Sequence, residues 1–348
     1  MHMGIFGSIR IKIRKGEMKM ITLAEAKVGM ADKVDQKVVD TFRRSNLLLD
    51  KLVFDNAISP GTGGSTLTYG YIQLLTPSTA AVRTINSEYS AGEAKRTEKT
   101  AKAVVMGGKF QIDRVLIGTA GAVDELAFQA EQKVKATSNY FNNLTINGSK
   151  ASSGTGVLNT FDGLDKLLTG AETEITSAVD VSTSAKMDSS YNALLDEVDA
   201  FLSTLDGKPT MLLMNEKMLT KMRAAARRAG YYSRSRDDFG RIVEAYNDIP
   251  MYDMGKYYNG TNTVDIIPTS TPTSVAEGAT DIYAISIGLD AFHGISPTGS
   301  KVISSYMPDL TKPGAVKDGE VELVAGVVLK NTNKAGVLRG IKILPKTA

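Results

Sequence analysis

One long amphipathic segment, with the glycine that follows it, constrains the fold of this chain more than any other feature. Apolar residues such as Leu126 and Phe141 recur every three to four positions across residues 122–143, and charged residues occupy the opposite face. This spacing predicts a helix of about 25 residues, which spans roughly 37 Å at 1.5 Å per residue. Gly148 predicts the end of that helix, and residues 161–164 predict a buried return. The stretch is more typical of a structural spine than of a catalytic cleft.

Composition narrows the classes of function. The chain has 348 residues, of which 42% are hydrophobic, enough for one large domain or two to three lobes. Cysteine is absent, which excludes disulfides and thiolate chemistry, and only two histidines, His2 and His293, are available to a metal. We therefore predict no catalytic residue, no cofactor and no metal site. The net charge of +3 is too small for a dedicated nucleic-acid binder, so any DNA contact is expected to be non-specific.

The N-terminal residues leave two alternatives open. Residues 14–17 (Arg-Lys-Gly-Glu) precede Met18, and purine-rich codons for them can form a ribosome-binding site. Either translation starts at Met18 or Met20 and residues 1–19 are not native, or these residues form a basic arm that binds phosphates. The segment lacks the apolar core of a signal peptide, and no apolar run in the chain is long enough to span a membrane. Both observations favour assembly in the cytoplasm.

A polar, strand-rich excursion occupies residues 66–106. Thr, Tyr and Val alternate across residues 67–75 and 100–110, which predicts strands, and the turn at 93–99 is fully polar. The glycine-rich run at 60–64 predicts a linker before it. An isolated two-stranded ribbon is marginally stable in water, so this one must pack on its own body or on another subunit.

A compact α/β lobe is predicted for residues 186–254. Its second helix has Asn215 as N-cap and ends at Gly230. A later strand is predicted at 282–287, and two C-terminal strands are expected to pair as an antiparallel hairpin. The predicted elements are helices at 187–205 and 216–229, strands at 210–214, 241–246 and 249–253, and C-terminal strands at 321–330 and 335–344 joined at 331–334.

The catalytic motifs in the sequence are incomplete. Residues 294–299 (Gly-Ile-Ser-Pro-Thr-Gly) are one residue too long for a nucleophile elbow, and Pro297 stands where a helix should begin. We interpret the neighbouring His293 as a loop histidine. The glycine-rich runs at 61–64 and 154–156 lack the Gly-Lys-Ser/Thr ending of a phosphate loop.

A run of arginines interleaved with tyrosines is the strongest candidate site in the α/β lobe. One interpretation is nucleic-acid contact, with arginine on phosphates and tyrosine stacked on bases. The other, which we favour, is a polar surface between subunits, where both residue types are enriched; Asp237, Asp238 and Glu244 are its candidate partners across a symmetry axis. The residues are Arg223, Arg227, Arg228, Tyr231, Tyr232, Arg234 and Arg236.

The order of these parts resembles the major capsid proteins of tailed bacteriophages of the Hong Kong 97 type. Residues 45–54 resemble the end of that family's N-terminal arm, 122–148 its spine helix, and 212–216 and 248–252 parts of its axial domain. The resemblance implies an α+β fold with an N-arm, an extended β-hairpin loop, a peripheral domain with a long spine helix, and an α/β axial domain. The implied boundaries are 1–59 for the arm, 60–110 for the loop, 111–185 for the peripheral domain, 186–275 for the axial domain and 276–348 for the return strands.

The same resemblance implies a structural function rather than an enzymatic one. Copies of the chain are expected to form hexamers and pentamers of an icosahedral shell around double-stranded DNA, so that the protein ends in the virion. The implied partners are a scaffolding protein, a portal, decoration proteins and non-specifically packaged DNA. Two alternatives remain: an encapsulin-like nanocompartment, and a cytoplasmic α/β enzyme that binds an anionic substrate. Contacts between subunits are expected at the arginine and tyrosine run and at Tyr69, Tyr71, Lys95, Arg96 and Lys99 of the loop.

Overall fold

The structure of the chain is a computed structural model that describes residues 47–58, 67–119, 125–150, 160–230, 233–236, 242–297 and 303–347. Some sequence predictions lie outside these residues. They are the translation start and basic arm, the linkers at 60–64 and 154–156, and Tyr231, Tyr232, Asp237 and Asp238.

The described chain is a mixed helix-and-sheet fold. Its helices are α1 (Leu47–Lys51), α2 (Arg114–Thr119), α3 (Glu125–Asn147), α4 (Leu164–Leu168), α5 (Ser184–Ser203) and α6 (Glu216–Ala229), with a 3-10 turn at Thr332–Lys334. Its strands are β1 (Phe54–Asp55), β2 (Thr68–Thr76), β3 (Lys95–Lys102), β4 (Val104–Asp113), β5 (Glu174–Thr176), β6 (Met211–Met214), β7 (Ser233–Arg236), β8 (Ile242–Tyr246), β9 (Ile249–Asp253), β10 (Lys256–Tyr258), β11 (Thr263–Asp265), β12 (Gly278–Ile285), β13 (Phe292–Ile295), β14 (Ile303–Tyr306), β15 (Val316–Leu329) and β16 (Ala335–Leu344). None of these helices combines the length and the apolar character needed to cross a bilayer.

The first large sheet has five strands and is organised by the long strand β15. β4 pairs antiparallel with β15 from Val316 to Ala325, and β14 pairs with its opposite edge. β13 pairs with the C-terminal part of β15, and β1 extends β13 in parallel. The alternating burial along the first half of β15 gives the sheet one face toward the core.

The second large sheet has seven strands in the order β5-β16-β12-β6-β9-β8-β7. Both of its faces are covered, because consecutive residues of its central strands enter different buried clusters. Leu213 and Ile285 join the cluster shared with α3 and the first sheet, whereas Leu212 and Ala284 join the cluster beneath α5 and α6. The strand predicted at 210–214 is confirmed over Met211–Met214, and all four of these residues are buried, as expected for a strand with both faces in a core.

The predicted helix caps of the α/β lobe are confirmed. The Asn215 side chain accepts a hydrogen bond from the Met218 amide, 2.8 Å away, at the start of α6. Gly230 ends that helix with a left-handed φ of 75°. The Asn215 amide group also donates to Thr280 Oγ1 at 2.6 Å, so the cap fixes α6 to the sheet as well.

The long predicted helix is confirmed as α3, which has 23 residues and buries Phe141, Leu144 and Ile146. It ends where the Gly148 amide donates to Leu144 O, 2.8 Å away. The return segment crosses directly against this end, and the Gly163 amide donates to Gly148 O at 2.9 Å. A Cβ on Gly163 would lie 2.6 Å from Ile146 O, so two glycines are needed for the backbones to approach this closely.

The prediction of a C-terminal hairpin is wrong. β15 and β16 are consecutive in sequence, but β15 lies in the five-stranded sheet, whereas β16 pairs with β12 and β5 in the seven-stranded one. The connection is a 3-10 turn at Thr332–Lys334, capped by the Asn331 side chain, which moves the chain from one sheet to the other. Both strands are largely buried, so each needs neighbouring strands and a layer packed over it. β15 and β16 find these in different sheets and not in each other.

The boundary of the extended loop at residue 110 is also wrong. The alternating pattern at 100–110 contains two strands, β3 and β4, separated by the fully buried Ala103. The Ala103 amide donates to Leu67 O at 2.7 Å, which closes the base of the β2–β3 hairpin. β4 then pairs along its whole length with β15 and belongs to the body of the protein.

Gly148→Ala is expected to lower the free energy of unfolding by about 2 kcal/mol or more. Its Cβ would lie 2.4 Å from Leu144 O and 2.5 Å from Phe161 O, which are backbone atoms of the helix end and of the return segment. Urea denaturation measures the change. Gly108→Ala is the matched control, because its Cβ meets only the flexible Lys133 side chain, at 3.3 Å. Equal unfolding midpoints for the two variants would show that the glycine contact is not needed.

Candidate assembly surfaces

The β2–β3 hairpin projects from the five-stranded sheet and is the first candidate surface. Its strands pair from Thr68↔Lys102 to Thr76↔Lys95, and residues 77–94 connect them without regular structure. Every residue from 77 to 94 is exposed. Val82 and Ile85 have relative exposures of 100% and 91%, so the far end of the hairpin, which we call the tip (residues 77–94), presents apolar side chains to solvent.

The near end of the hairpin, which we call the base, is anchored within the chain. Tyr69, Tyr71 and Gln73 alternate along β2 and share the face that meets the body. The Tyr71 hydroxyl donates to Leu329 O at 3.3 Å, and Gln73 Nε2 donates to Lys330 O at 3.0 Å. Burial raises the pKa of Tyr71, so its hydroxyl remains a donor at neutral pH.

Tyr69 is buried more deeply than its neighbours on β2. Its hydroxyl donates to Asp55 Oδ2 at 3.2 Å, and its ring meets the His293 ring edge-on with centroids 5.9 Å apart. Lys330 Nζ lies over the same ring, 5.4 Å from its centroid. Tyr69 is only 9% exposed, so little of its side chain is left for the predicted contact with another subunit.

The predicted basic residues of the hairpin lie on its second strand. Lys95, Arg96 and Lys99 belong to β3, and all three are exposed. Their role in subunit contacts stays a prediction. The sequence analysis missed Gln73 and the apolar tip residues; the apolar positions in the tip were visible in the sequence, but their exposure follows from the fold.

Helix α6 carries the described part of the arginine run, the second candidate surface. Arg223 forms an ion pair with Glu244 on β8, and Arg228 Nε lies 2.6 Å from Asp188 Oδ1 on α5. Glu244 therefore pairs within the chain, and its use across a symmetry axis stays a prediction. Arg227 is exposed beside these pairs. Arg234 and Arg236 lie on β7, at the edge of the seven-stranded sheet.

His293 is not a loop histidine, which corrects the interpretation from sequence. It lies in β13, opposite Val328 of β15, and is fully buried. The glycines and the proline around it suggested a loop, but Gly294 is needed because Phe54 of the parallel strand β1 would lie 2.5 Å from a Cβ there. Within the described residues no cluster of histidine, aspartate and glutamate is arranged to hold a metal ion.

Solved structures of shell proteins share this fold. The holo-SrpI encapsulin complex from Synechococcus elongatus PCC 7942 has a TM-score of 0.63 and 11% identity, over 95% of this chain and 99% of that chain. The capsid of Myoviridae phage XM1 has a TM-score of 0.56 and 13% identity, over 93% and 100%. The capsid of a native GTA particle has a TM-score of 0.54 and 11% identity, over 93% and 100%.

The sequence itself matches no protein-family model and no curated protein. Identities this low show the fold alone. The chain has a mixed helix-and-sheet fold of the kind that these shell proteins share. Within that class, the chain has the Hong Kong 97-like capsid fold, and the resemblance inferred from the sequence is confirmed at this level.

Removing the two side-chain donors at the base is expected to loosen β2. Tyr71→Phe with Gln73→Ala deletes both hydrogen bonds to the end of β15, each worth about 1 kcal/mol. We expect hydrogen–deuterium exchange of the β2 amides to accelerate roughly tenfold. Tyr89→Phe is the matched control, since Tyr89 lies in the exposed tip. Unchanged exchange in the double variant would mean that other contacts hold the base.

Proposed function

We propose that this protein is a shell-forming subunit, the major capsid protein of a tailed phage that encloses double-stranded DNA. The observation that carries the proposal is the hairpin of a Hong Kong 97-like fold, anchored at its base and uncovered at its tip. Val82 and Ile85 have no cover within the described chain. Exposed apolar surface of this kind is typical of an interaction site, and a neighbouring copy of the subunit is the partner that a shell provides.

The domains of the proposed subunit follow the two sheets. The peripheral domain comprises α3, roughly 34 Å long, with the five-stranded sheet, and the axial domain comprises α5, α6 and the seven-stranded sheet. The extended loop is the β2–β3 hairpin with the residues before it, and residues 1–59 form the N-arm. The order of these elements along the chain supports the assignment.

Assembly then proceeds through heterologous contacts that close into rings of five and six subunits. Each tip covers a neighbouring subunit, and the arginine face of α6 meets the next axial domain around the ring. Individual contacts can be weak, because a closed shell engages many of them at once. DNA, a scaffolding protein, a portal and decoration proteins are the partners that this function requires, and the shell would assemble in the host cytoplasm.

An encapsulin-like nanocompartment is the second candidate. The observation that favours it is the similarity to the SrpI encapsulin, with a TM-score of 0.63 over 95% of this chain. The contents of nuclease-treated particles purified from the native source discriminate between the two: protected double-stranded DNA supports the capsid, and a protein cargo without DNA supports the nanocompartment.

The third alternative, an enzyme that uses the arginine run to bind an anionic substrate, has less support. Arg223 and Arg228 already pair with Glu244 and Asp188. Binding of an anion there would have to displace two carboxylates, which a polar subunit interface does not require.

Val82→Ser with Ile85→Ser is expected to reduce shell formation strongly while leaving the subunit folded, because both side chains are exposed and make no core contact. The yield of closed particles, measured by light scattering and negative-stain electron microscopy, should fall at least about tenfold. Val275→Ser is the matched control, since Val275 is 82% exposed on a different loop. A normal yield of shells from the double variant would refute the role of the tip. Replacing these two side chains is a sharper test than deleting residues 66–106, which would also remove part of β4.

Arg227→Glu is expected to weaken assembly at the axial domain. Arg227 is exposed between two intrachain ion pairs, so a reversed charge there faces the neighbouring subunit rather than the core. We expect the protein concentration needed for assembly to rise several-fold. Lys166→Glu, the same charge change on the exposed face of α4, is the control. Equal assembly of both variants would exclude this face from the interface.

A further inference from the structure

The base of the hairpin contains a buried histidine, His293, to which the proposed assembly assigns no role. His293 is fully buried, and neither ring nitrogen has a hydrogen-bond partner of normal geometry among the described residues, although the backbone carbonyl groups of Ala291 and Gly288 lie near the ring. Buried polar atoms are normally paired, so two unpaired nitrogens on one ring are unusual in a structural position. The ring lies against Tyr69, the residue by which β2 enters the body.

The groups around His293 come from every element at the base. Asp55 on β1 accepts the Tyr69 hydroxyl, and Lys330, which follows β15, lies over the Tyr69 ring. The rest of the surrounding cluster is apolar and includes Ile58, Ala103, Ile295 and Val328. The imidazole therefore faces Asp55, Lys330 and Tyr69, all of which also hold the hairpin, together with the backbone carbonyl groups of Ala291 and Gly288.

We propose that this cluster is a proton-sensitive latch, in which neutral His293 holds the hairpin base closed and protonated His293 releases it. A buried imidazolium beside Lys330 is disfavoured by desolvation and by the like charge. It also competes with the Tyr69 hydroxyl for Asp55. Both effects are relieved when Tyr69 leaves the cluster, so a proton gained at His293 weakens the contact that fixes β2.

The electrostatics of the site agree in direction with this latch. Burial lowers the pKa of His293, and the charge of Lys330 lowers it further, while Asp55 and the carbonyl groups of Ala291 and Gly288 oppose the shift. A histidine in the open base titrates near its ordinary value of about 6.5. Between that value and the lower value of the closed base, the open state binds more protons. The closed base is therefore most stable above about pH 6.5 and weakens as the pH falls below it.

Hydrogen–deuterium exchange of the full chain between pH 7.5 and 5.0 tests the latch. At each pH the rates of the β2 amides in the wild-type protein are compared with those of His293→Phe, which fills the site and cannot titrate. The comparison at equal pH removes the pH dependence of chemical exchange itself. The ratio should be near one at pH 7.5 and should rise to about tenfold at pH 5.5, as expected for a group that titrates near 6.5 only when the base is open.

His2→Asn is the matched control, because His2 and His293 are the only histidines in the chain. It should keep the wild-type response. Lys330→Gln removes the nearby cation and should reduce the acid-induced acceleration, and this variant decides the question if His293→Phe does not fold. Equal pH dependence of β2 exchange in the wild type and in His293→Phe, or in the wild type and in Lys330→Gln, would overturn the latch. The experiment does not depend on shell formation, so its failure would leave the proposed function intact.

Discussion

The backbone contact between Gly148 and Gly163 determines how the two halves of this fold are joined. The contact ends α3 and places α4 directly behind it, so that Asp165 of α4 faces the seven-stranded sheet. There, Arg339 Nη1 lies 2.6 Å from Asp165 Oδ1 and 3.4 Å from Asp281 Oδ2, and the guanidinium also bonds Glu174. One arginine thus connects α4, β5, β12 and β16, and the position of its partner Asp165 depends on the approach that the glycines permit.

The same arginine explains why three acidic residues lie close together. Burial raises the pKa of Asp281, although the Gly340 amide and Arg339 both stabilise its charged form. The Asp281 carboxylate fixes the backbone of β16. Its Oδ1 accepts a hydrogen bond from the Gly340 amide, 2.9 Å away, at a glycine with a left-handed φ of 80°. The network therefore joins layers of the fold, which agrees with the structural function proposed above.

Periodicity in the sequence predicted the helices and strands of this fold better than it predicted which strands pair with each other. The three-to-four spacing of α3 and α5 and the capping residues of α6 were sufficient, because these signals are local. The pairing of β15 and β16 was not predictable in this way, because sheet membership depends on which layer covers each strand. A turn at 331–334 between two apolar runs is typical of a hairpin, and only tertiary packing separates the runs into two sheets.

The candidate surfaces show the same division between local and tertiary information. The ribbon was predicted from alternation, but its division into an anchored base and a free tip depends on Leu329 and Lys330, about 257 positions further along the chain. His293 was misplaced for a similar reason: the glycines beside it permit close strand packing rather than a turn. The run of arginines in the sequence predicted a charged surface but not its pairing, since Arg223 and Arg228 have acidic partners on other elements.

An anchored base combined with an uncovered tip gives the hairpin two separate physical tasks. The base packs on an apolar cluster and also holds β2 through side-chain hydrogen bonds of about 1 kcal/mol each, which break and re-form more easily than a continuous sheet. The tip is apolar where it is most exposed, and its burial on another surface would be driven by the hydrophobic effect. In the proposed shell, covering Val82 and Ile85 would stabilise contact between copies only if the base allows the hairpin to reach its neighbour. The contacts at the base must therefore be strong enough to hold β2 and weak enough to let the hairpin move. A cluster of Asp55, Tyr69, His293 and Lys330 meets both requirements better than a fully apolar contact would.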